Sequence, residues 1–520
     1  MEGFVQRHRQ DVMGALNGFD RIRFRRTRRL LACVGGMRSF LFRIDVLLKD
    51  FKHYVLAVTD RIRQSVVAAA QAAGRPVQYL PSSSARKEHL ARDLAGKAGI
   101  AEGLICVLSA VEPCMTYQVC RSPQARGLEL RLRPGKCLHY YHYWMHPDFG
   151  FMHARLQTWF PFTVHVCING RQWLARQMDR AGIGYLRQEN CFVDVADLAA
   201  AQSLFDQQLR TDWARRLDAL IPQINPADGE LFAACAVPYY WSADQTEWAS
   251  DLLFRSPEAL CRLYGRLIQY GMTCPGSRDV LRFLGHKVPA QGGLNGNFQG
   301  QLTTDLKQRP EGIRLKHRVN RNSVKMYDKQ GSVLRIETTI NDARDLKTYR
   351  AAEGDPRGPK RWRKMRKGVA DLHRRAKVSQ ATNERYLQSL TGVEASPSLG
   401  QVLEPLCRPV TWKDRRVRAL HPMAGDDAAL VRVIAQGDFC LHGFRNRDVR
   451  TALYGTAADH PTKRRQSSAI SRKLRLLRAH GLIQKVSGTH RYLLTHKART
   501  TLPLLLLATA ADAAKLAQAA

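Results

Sequence analysis

Acidic residues are scarce in this chain: 45 Asp and Glu stand against 82 Lys and Arg, a net charge of +37. That excess is far beyond what solubility needs and runs through the whole sequence. A polyanionic partner is expected, nucleic acid ahead of a membrane surface. No CxxC pair occurs among the 12 cysteines, which removes a zinc ribbon or finger. With no secretory signal in the first residues, the cysteines read as reduced thiols of a cytoplasmic, nucleoid-associated protein. No apolar run reaches bilayer length; the longest, residues 502–511, is interrupted by Pro503, so no membrane partner is expected. The glycine-rich residues 285–301 are not followed by Gly-Lys-Ser/Thr and carry no GxGxxG between a strand and a helix. They read as a hinge or surface loop, not a phosphate or dinucleotide site.

What is present begins with size and apolar content. The 520 residues are 44% hydrophobic, enough for real cores in roughly two to four domains. The most organised stretch is residues 461–494. A Pro461-Thr462 start and a basic first turn lead into a helix with Ile470, Leu474, Leu476 and Leu477 at helical spacing. His480 and Gly481 stop it. Two short strands, 482–486 and 491–494, follow around a Ser487-Gly488-Thr489-His490 turn. Two shorter amphipathic helices precede this, at 426–436 and 444–454, with Asn446 a candidate cap for the second. This order resembles MarR-type and related winged helix-turn-helix domains, whose second helix enters the major groove. The resemblance implies DNA contacts from Lys463, Arg464, Arg465, Gln466, Ser468, Ser471, Arg472 and Lys473 on the helix, and from His490 and Arg491 on the wing.

The rest of the chain is expected to be an α+β body. Residues 1–75 read as a basic helical region with one short strand near 19–29, and residues 76–300 as a mixed body. In that body, 115–169 form an antiparallel meander and 170–288 a helical scaffold without catalytic spacing. Residues 301–395 supply a basic β-hairpin and a basic helix starting near Lys360, 396–422 a Pro- and Ser-containing linker, and 423–520 the winged domain with a C-terminal helix. In the meander, Tyr140, His142, Trp144 and His146 share one strand face, with His153 expected opposite them. Aromatic packing or base stacking suits these residues better than a metal, because no acid stands at ligating spacing.

Residues 313–340 read as two long strands around Lys329-Gln330-Gly331. Arg314, Lys316 and Arg318 point one way on the first, and Arg335, Glu337 and Thr339 share a face on the second. Lys325, Tyr327 and Lys329 fall near Arg335 and Glu337. The string Lys325-x-Tyr327-Asp328-Lys329 followed by Leu334-Arg335-x-Glu337 is similar to the core of rolling-circle replication initiators of phages and plasmids. That resemblance implies Tyr327 as a nucleophile on a phosphodiester and Asp328 or Glu337 as ligand to a divalent metal, Mg²⁺ or Mn²⁺. The chain departs from those enzymes in lacking their His-hydrophobic-His triplet; its nearest histidines, His139 and His142, are separated by two residues. A three-acid transposase set could nominate Glu112 with Asp328 and Glu337, but no spacing selects it.

As a whole the chain resembles a family of basic bacterial proteins of about this length associated with mobile or repeated elements. The resemblance is carried by YLPSSSARKEHLARDLA, GFMHARLQTWFPF, NGRQWLARQMD, KMYDKQGSVLRIETTIND and SRKLRLLRAHGLIQK. That family supplies no activity; the basic charge and the winged C-terminal domain together read as a double-stranded DNA-binding protein, a regulator or recognition protein that finds its site through that domain. The alternatives are a DNA-processing enzyme, transposase or nicking nuclease, using residues 313–340, and an RNA-binding protein. A homodimer through the C-terminal helix is a further expectation.

Overall fold

The computed structural model describes residues 2–122, 127–235, 239–286, 288, 300–309, 312–352, 354–355, 357–391, 403–436, 439, 443–456 and 459–510. The fold is mixed α+β, built on one 11-stranded sheet. Strand β1 (Val12–Arg28) runs through its middle. Helices Val34–Arg43 and Phe51–Ala72, β2 (Val77–Tyr79) and helix Lys87–Lys97 follow. A meander of β3 (Gly103–Arg121), β4 (Leu128–His146), β5 (Gly150–Gln157) and β6 (Val164–Asn169) then returns to pair with β1. Helix Gly170–Ala181, a hairpin of β7 (Tyr185–Gln188) and β8 (Cys191–Val195) and several short helices lead to β9 (Tyr239–Phe254). This strand lies antiparallel to β1 along its whole length.

The pattern is then repeated. Helices Pro257–Thr273 and Ser277–Phe283 precede a second meander, β10 (Leu302–Arg309), β11 (Gly312–Val319), β12 (Asn322–Lys329) and β13 (Val333–Ile340). Its last strand pairs with β9 as β6 pairs with β1, and a helix, Leu372–Leu390, again follows. The sheet order is therefore β10-β11-β12-β13-β9-β1-β6-β5-β4-β3-β2, antiparallel except at β2–β3. Two cores hold the helices to it. One gathers Phe19, Ile22 and Phe24 with Phe40, Val55 and Ile62; the other gathers Leu252, Met326, Leu334 and Ile336 with Leu260, Leu263, Tyr386 and Leu387.

Between the sheet and the C-terminal unit lie two small ribbons, β14 (Lys347–Arg350) with β15 (Arg361–Lys364) and β16 (Val410–Trp412) with β17 (Arg415–Val417). The C-terminal unit has helices Gly425–Ile434, Asn446–Tyr454 and His460–Ala479. A three-stranded sheet of β18 (Phe444–Arg445), β20 (Arg491–Leu494) and β19 (Ile483–Lys485) and a final helix, His496–Ala510, complete it. Its core joins Leu430, Ile434, Val449, Ile470, Leu474, Leu477 and Leu494 with Leu502 and Leu505 of that final helix. Leu406 and Leu420, within the stretch read as a linker, enter the same core; residues 396–402 lie outside the described residues. Arg499 ties the unit to the body: its Nη1 lies 3.2 Å from Asp279 and donates to the carbonyl of Cys274 at 3.0 Å.

Several expectations change. The N-terminal strand is 17 residues long and central, and β9 crosses a region read as helical. Neither segment alternates cleanly, because bulges interrupt the period between Phe19 and Arg21 and between Arg23 and Phe24. Residues 313–340 form three strands, since the chain turns at Asn320 with positive φ, leaving β11 and β12 antiparallel. The helix expected from Lys360 begins only at Leu372, because residues 361–364 pair with 347–350. The glycine-rich loop 285–301 falls largely outside the described residues. Among the described residues no helix is long and apolar enough to cross a membrane.

Candidate nucleic-acid interface

Directly opposed residues of an antiparallel pair lie on one face, so the register reads out what the sheet presents. One row runs Arg318–Ser323–Thr339–Glu247–Arg21–Asn169 across β11, β12, β13, β9, β1 and β6. The next runs Asp305–Lys316–Lys325–Glu337–Ala249–Gly18, and the third Lys307–Arg314–Tyr327–Arg335–Asp251–Leu16. Beyond Arg21 the same face continues through Arg23–Cys167–His153–Tyr143 and Arg25–His165–Arg155–Tyr141. Arg21 and Arg23 are exposed, and Arg25, Arg155, Arg314, Lys316 and Arg318 are half-buried.

The middle of this face is closed and compensated. Arg335 forms a bidentate pair with Asp251, at 2.6 and 2.8 Å, and reaches Asp20 at 3.0 Å and the carbonyl of Asn190 at 2.9 Å. Arg171 completes the network, 2.8 Å from Asp251, and donates to the carbonyl of Gly18 at 3.0 Å. It arrives there because helix Gly170–Ala181 starts almost in contact with β1: a Cβ on Gly170 would lie 1.7 Å from the carbonyl oxygen of Phe19. Asn169 caps that helix, accepting from the N–H groups of Arg171 and Gln172. Desolvation works against every charge here. The guanidinium groups nevertheless hold the Asp251 carboxyl down at about 2 and keep Asp20 below its ordinary value.

Beside this network, Lys325 lies 2.6 Å from Glu337 and 3.7 Å from Glu247, and Arg21 lies 3.7 Å from Glu247. Carboxylate oxygens of Asp20, Glu247 and Glu337 all fall within 4.8 Å of one another, the spacing of a cation site. Burial, and then the neighbouring Glu337, push Glu247 up to about 7. The ammonium of Lys325 and the guanidinium groups of Arg21 and Arg335 already supply the positive charge that a divalent ion would bring. These residues therefore fit a charge network better than a metal. A second ligand-type cluster, Cys114, Cys137 and His139, places the two sulfurs 3.3 Å apart on β3 and β4.

The residues nominated from the sequence separate on this frame. Lys325 does face Glu337, and Tyr327 faces Arg335, the pairing that the alternation of residues 313–340 implies. Tyr327 and Glu337 share the polar face, but Tyr327 is only 7% exposed, and burial followed by Glu337 pushes its phenol up to about 12. Asp328 falls on the opposite face by strand alternation, its Oδ1 buried without a partner and burial raising its carboxyl. Glu112 is on β3, six strands from β13, bound to Lys87 at 2.9 Å and to the hydroxyl of Tyr141 at 2.5 Å. His142 and Trp144 stack with ring centroids 5.5 Å apart, whereas His153 pairs with Tyr143 and so lies on the other face from His142. Asp20, Arg171, Asp251 and Glu247 were not legible as a set. They are far apart in sequence and meet only through the pairing of β1, β9 and β13.

In the C-terminal unit, Asp459 caps helix His460–Ala479 by accepting from Thr462 N–H at 2.7 Å. Ile470, Leu474 and Leu477 bury one side, and Arg464, Arg465, Ser468, Ser471, Arg472 and Arg475 are exposed on the opposite side. Lys463 is exposed in the first turn. Gln466 is half-buried with its Oε1 unpartnered. Lys473 is drawn away from that surface by Asp426, 2.9 Å distant. Asn446 does not cap its helix; Asp448 accepts from the Arg445 N–H, and the Asn446 amide instead donates to the Ser467 carbonyl and the Ser471 hydroxyl, both at 2.9 Å. His490 is exposed at the β19–β20 turn, next to half-buried Arg491.

No family model, curated protein or solved structure matches this chain.

Proposed function

We propose that this protein binds double-stranded DNA at a chosen site, with the C-terminal unit acting as a winged helix-turn-helix and helix His460–Ala479 as its major-groove element. One observation carries the reading. Arg464, Arg465, Ser468, Ser471 and Arg472 lie together on the exposed side of a helix whose other side is locked into a core. Guanidinium and hydroxyl groups so placed can meet phosphates and base edges, and a helix fits the major groove. In this reading the β19–β20 hairpin, with His490 in its turn, serves as the wing that contacts the neighbouring backbone.

The basic sheet face gives the body a part in the same task. Burial lowers the Lys316 ammonium, and its cationic neighbours Lys325, Arg314 and Arg318 lower it further, with Asp305 acting the other way. An ammonium disfavoured by burial and by neighbouring cations is relieved by an anionic partner, and a nucleic-acid backbone supplies one. The association with a mobile element rests on the sequence resemblance, and regulator or recognition protein is the role that follows. The test is selection of bound duplexes from a random library by the full chain. An enriched motif, dependent on Arg464 and Arg472, is expected; binding without any enriched sequence would contradict site recognition.

The DNA-processing alternative is separated by incubating the protein with supercoiled plasmid in Mg²⁺, Mn²⁺ or chelator. Binding without metal-dependent nicks is expected, since Tyr327 is buried and Lys325 stands among the carboxylates.

A further inference from the structure

The ribbon β14–β15 carries side chains that the fold does not use. Tyr349 and Trp362 are directly opposed, 58% and 61% exposed, with ring centroids 5.8 Å apart. Large aromatics at that exposure expose apolar surface to water while contributing nothing to a core. On the face of the rings Lys347 opposes Lys364, and on the other face of the ribbon Arg350 opposes Arg361 and Thr348 opposes Arg363. Like charges placed directly opposite one another destabilise a ribbon. Among the described residues, no carboxylate lies within ion-pair distance of Lys347, Arg361, Arg363 or Lys364. A ribbon with cations facing cations around an uncovered aromatic pair is built against its own stability, which points to a ligand that is both anionic and aromatic.

The position of the ribbon supports this. It leaves the sheet directly after β13, and Leu346 and Met365 at its base pack with Ile340 and with Val378 of helix Leu372–Leu390. One turn before Val378, Arg375 is buried, with its Nε and Nη1 unpartnered. Just past the ribbon, the Lys367 carbonyl accepts from the N–H of Ala243 on β9, and Gly368 bridges to Ser242, the residue paired with Arg25. A strand lying along the Arg21, Arg23 and Arg25 row of β1 would therefore meet the ribbon next.

We propose that Tyr349 and Trp362 stack on unpaired bases of a DNA strand, with Lys347 and Lys364 beside them on the same face holding its phosphates. This extends the proposed function and rests on its DNA partner. It adds a single-strand contact in the body, so that a melted or flipped segment beside the duplex site is held open. Stacking of this kind is tolerant of sequence, because every base presents a π-face.

The test uses the full chain and two probes, a labelled oligo-dT strand and a duplex of the same length, with an oligo-rU strand as third arm. Tyr349→Thr with Trp362→Val keeps strand propensity while removing both rings. Affinity for oligo-dT is expected to fall about tenfold or more, with its salt slope unchanged and duplex affinity within about twofold. Equal losses on strand and duplex, or no loss on the strand, would overturn the proposal, as would tighter binding of oligo-rU than of oligo-dT. A readout on the unaltered protein guards against a misfolded variant: a strand carrying 2-aminopurine should change its fluorescence on binding as the base stacks. An unchanged signal on the bound strand would also overturn it. Failure of the duplex reading shows separately, as absence of duplex binding by the wild-type chain while the strand arm stays interpretable.

Discussion

Arg335 and Asp251 meet as a buried bidentate pair, each side chain 1% exposed, on the adjacent strands β13 and β9 of the second repeated half of the sheet. Asp20 from β1 and Arg171 from helix Gly170–Ala181, both of the first half, close the same network. Removing one member leaves a charge in the interior with no counter-charge. Arg335→Met is therefore expected to cost about 3–5 kcal/mol, read as a lowered urea midpoint in chemical unfolding. An unchanged midpoint would show that the network does not hold β13, β9 and β1 together.

Glu247 titrates in the opposite sense from an ordinary paired carboxylate. Its folded-state value near 7 lies above its ordinary 4.5, so its contribution to stability is fully present below about 4.5 and is lost as pH rises through 7. Glu247→Gln mimics the protonated form. The variant should gain stability relative to wild type at pH 8, by roughly 1–2 kcal/mol, and lose that advantage at pH 5. Equal differences at the two pH values, in paired thermal melts, would contradict this.

Buried histidines set the acid limit. Burial holds His139, His153 and His317 down at about 4 and His142 at about 3. Groups with depressed values contribute stability above their ordinary 6.5 and lose it as pH falls toward the folded-state value. Melting temperature should therefore drop steadily between pH 6.5 and 4. Replacing His142 by Phe should flatten part of that slope. A melting temperature that does not change over this interval would contradict the burial of these rings.

Tyr327→Phe separates binding from chemistry. The side chain is buried within the sheet face and its proton tightly held, so loss of the hydroxyl should leave duplex affinity within about twofold. A covalent protein–DNA adduct in the wild type that disappears in this variant would instead favour a nicking enzyme.

Much of the local structure was legible in the chain. The alternation of residues 313–340 fixed which side chains share a face, and Lys325 opposite Glu337 follows from it. The helices and hairpin of the C-terminal unit were marked by helical spacing, a glycine stop and a tight turn. The central strands were not, because bulges break the period of two in β1 and because Gly14 and Gly18 lower its strand propensity. Pairing with β6 and β9 overrides that weakness. The Asp20–Arg171–Asp251–Arg335 network was invisible for a related reason: each member looks like a surface charge until the two halves pair. The interruption of the first long strand at Asn320 was missed because a single positive-φ residue was enough to turn it.

The most direct measurement is the salt dependence of duplex binding by the full chain, wild type against Arg464→Ala, Arg465→Ala and Arg472→Ala combined. Each guanidinium that neutralises a phosphate should account for about 0.9 in the slope of log K against log salt. A slope shallower by nearly three such steps, with weaker affinity, is therefore expected of the triple variant. Unchanged affinity and slope would contradict the assignment of helix His460–Ala479 as the DNA-contacting element.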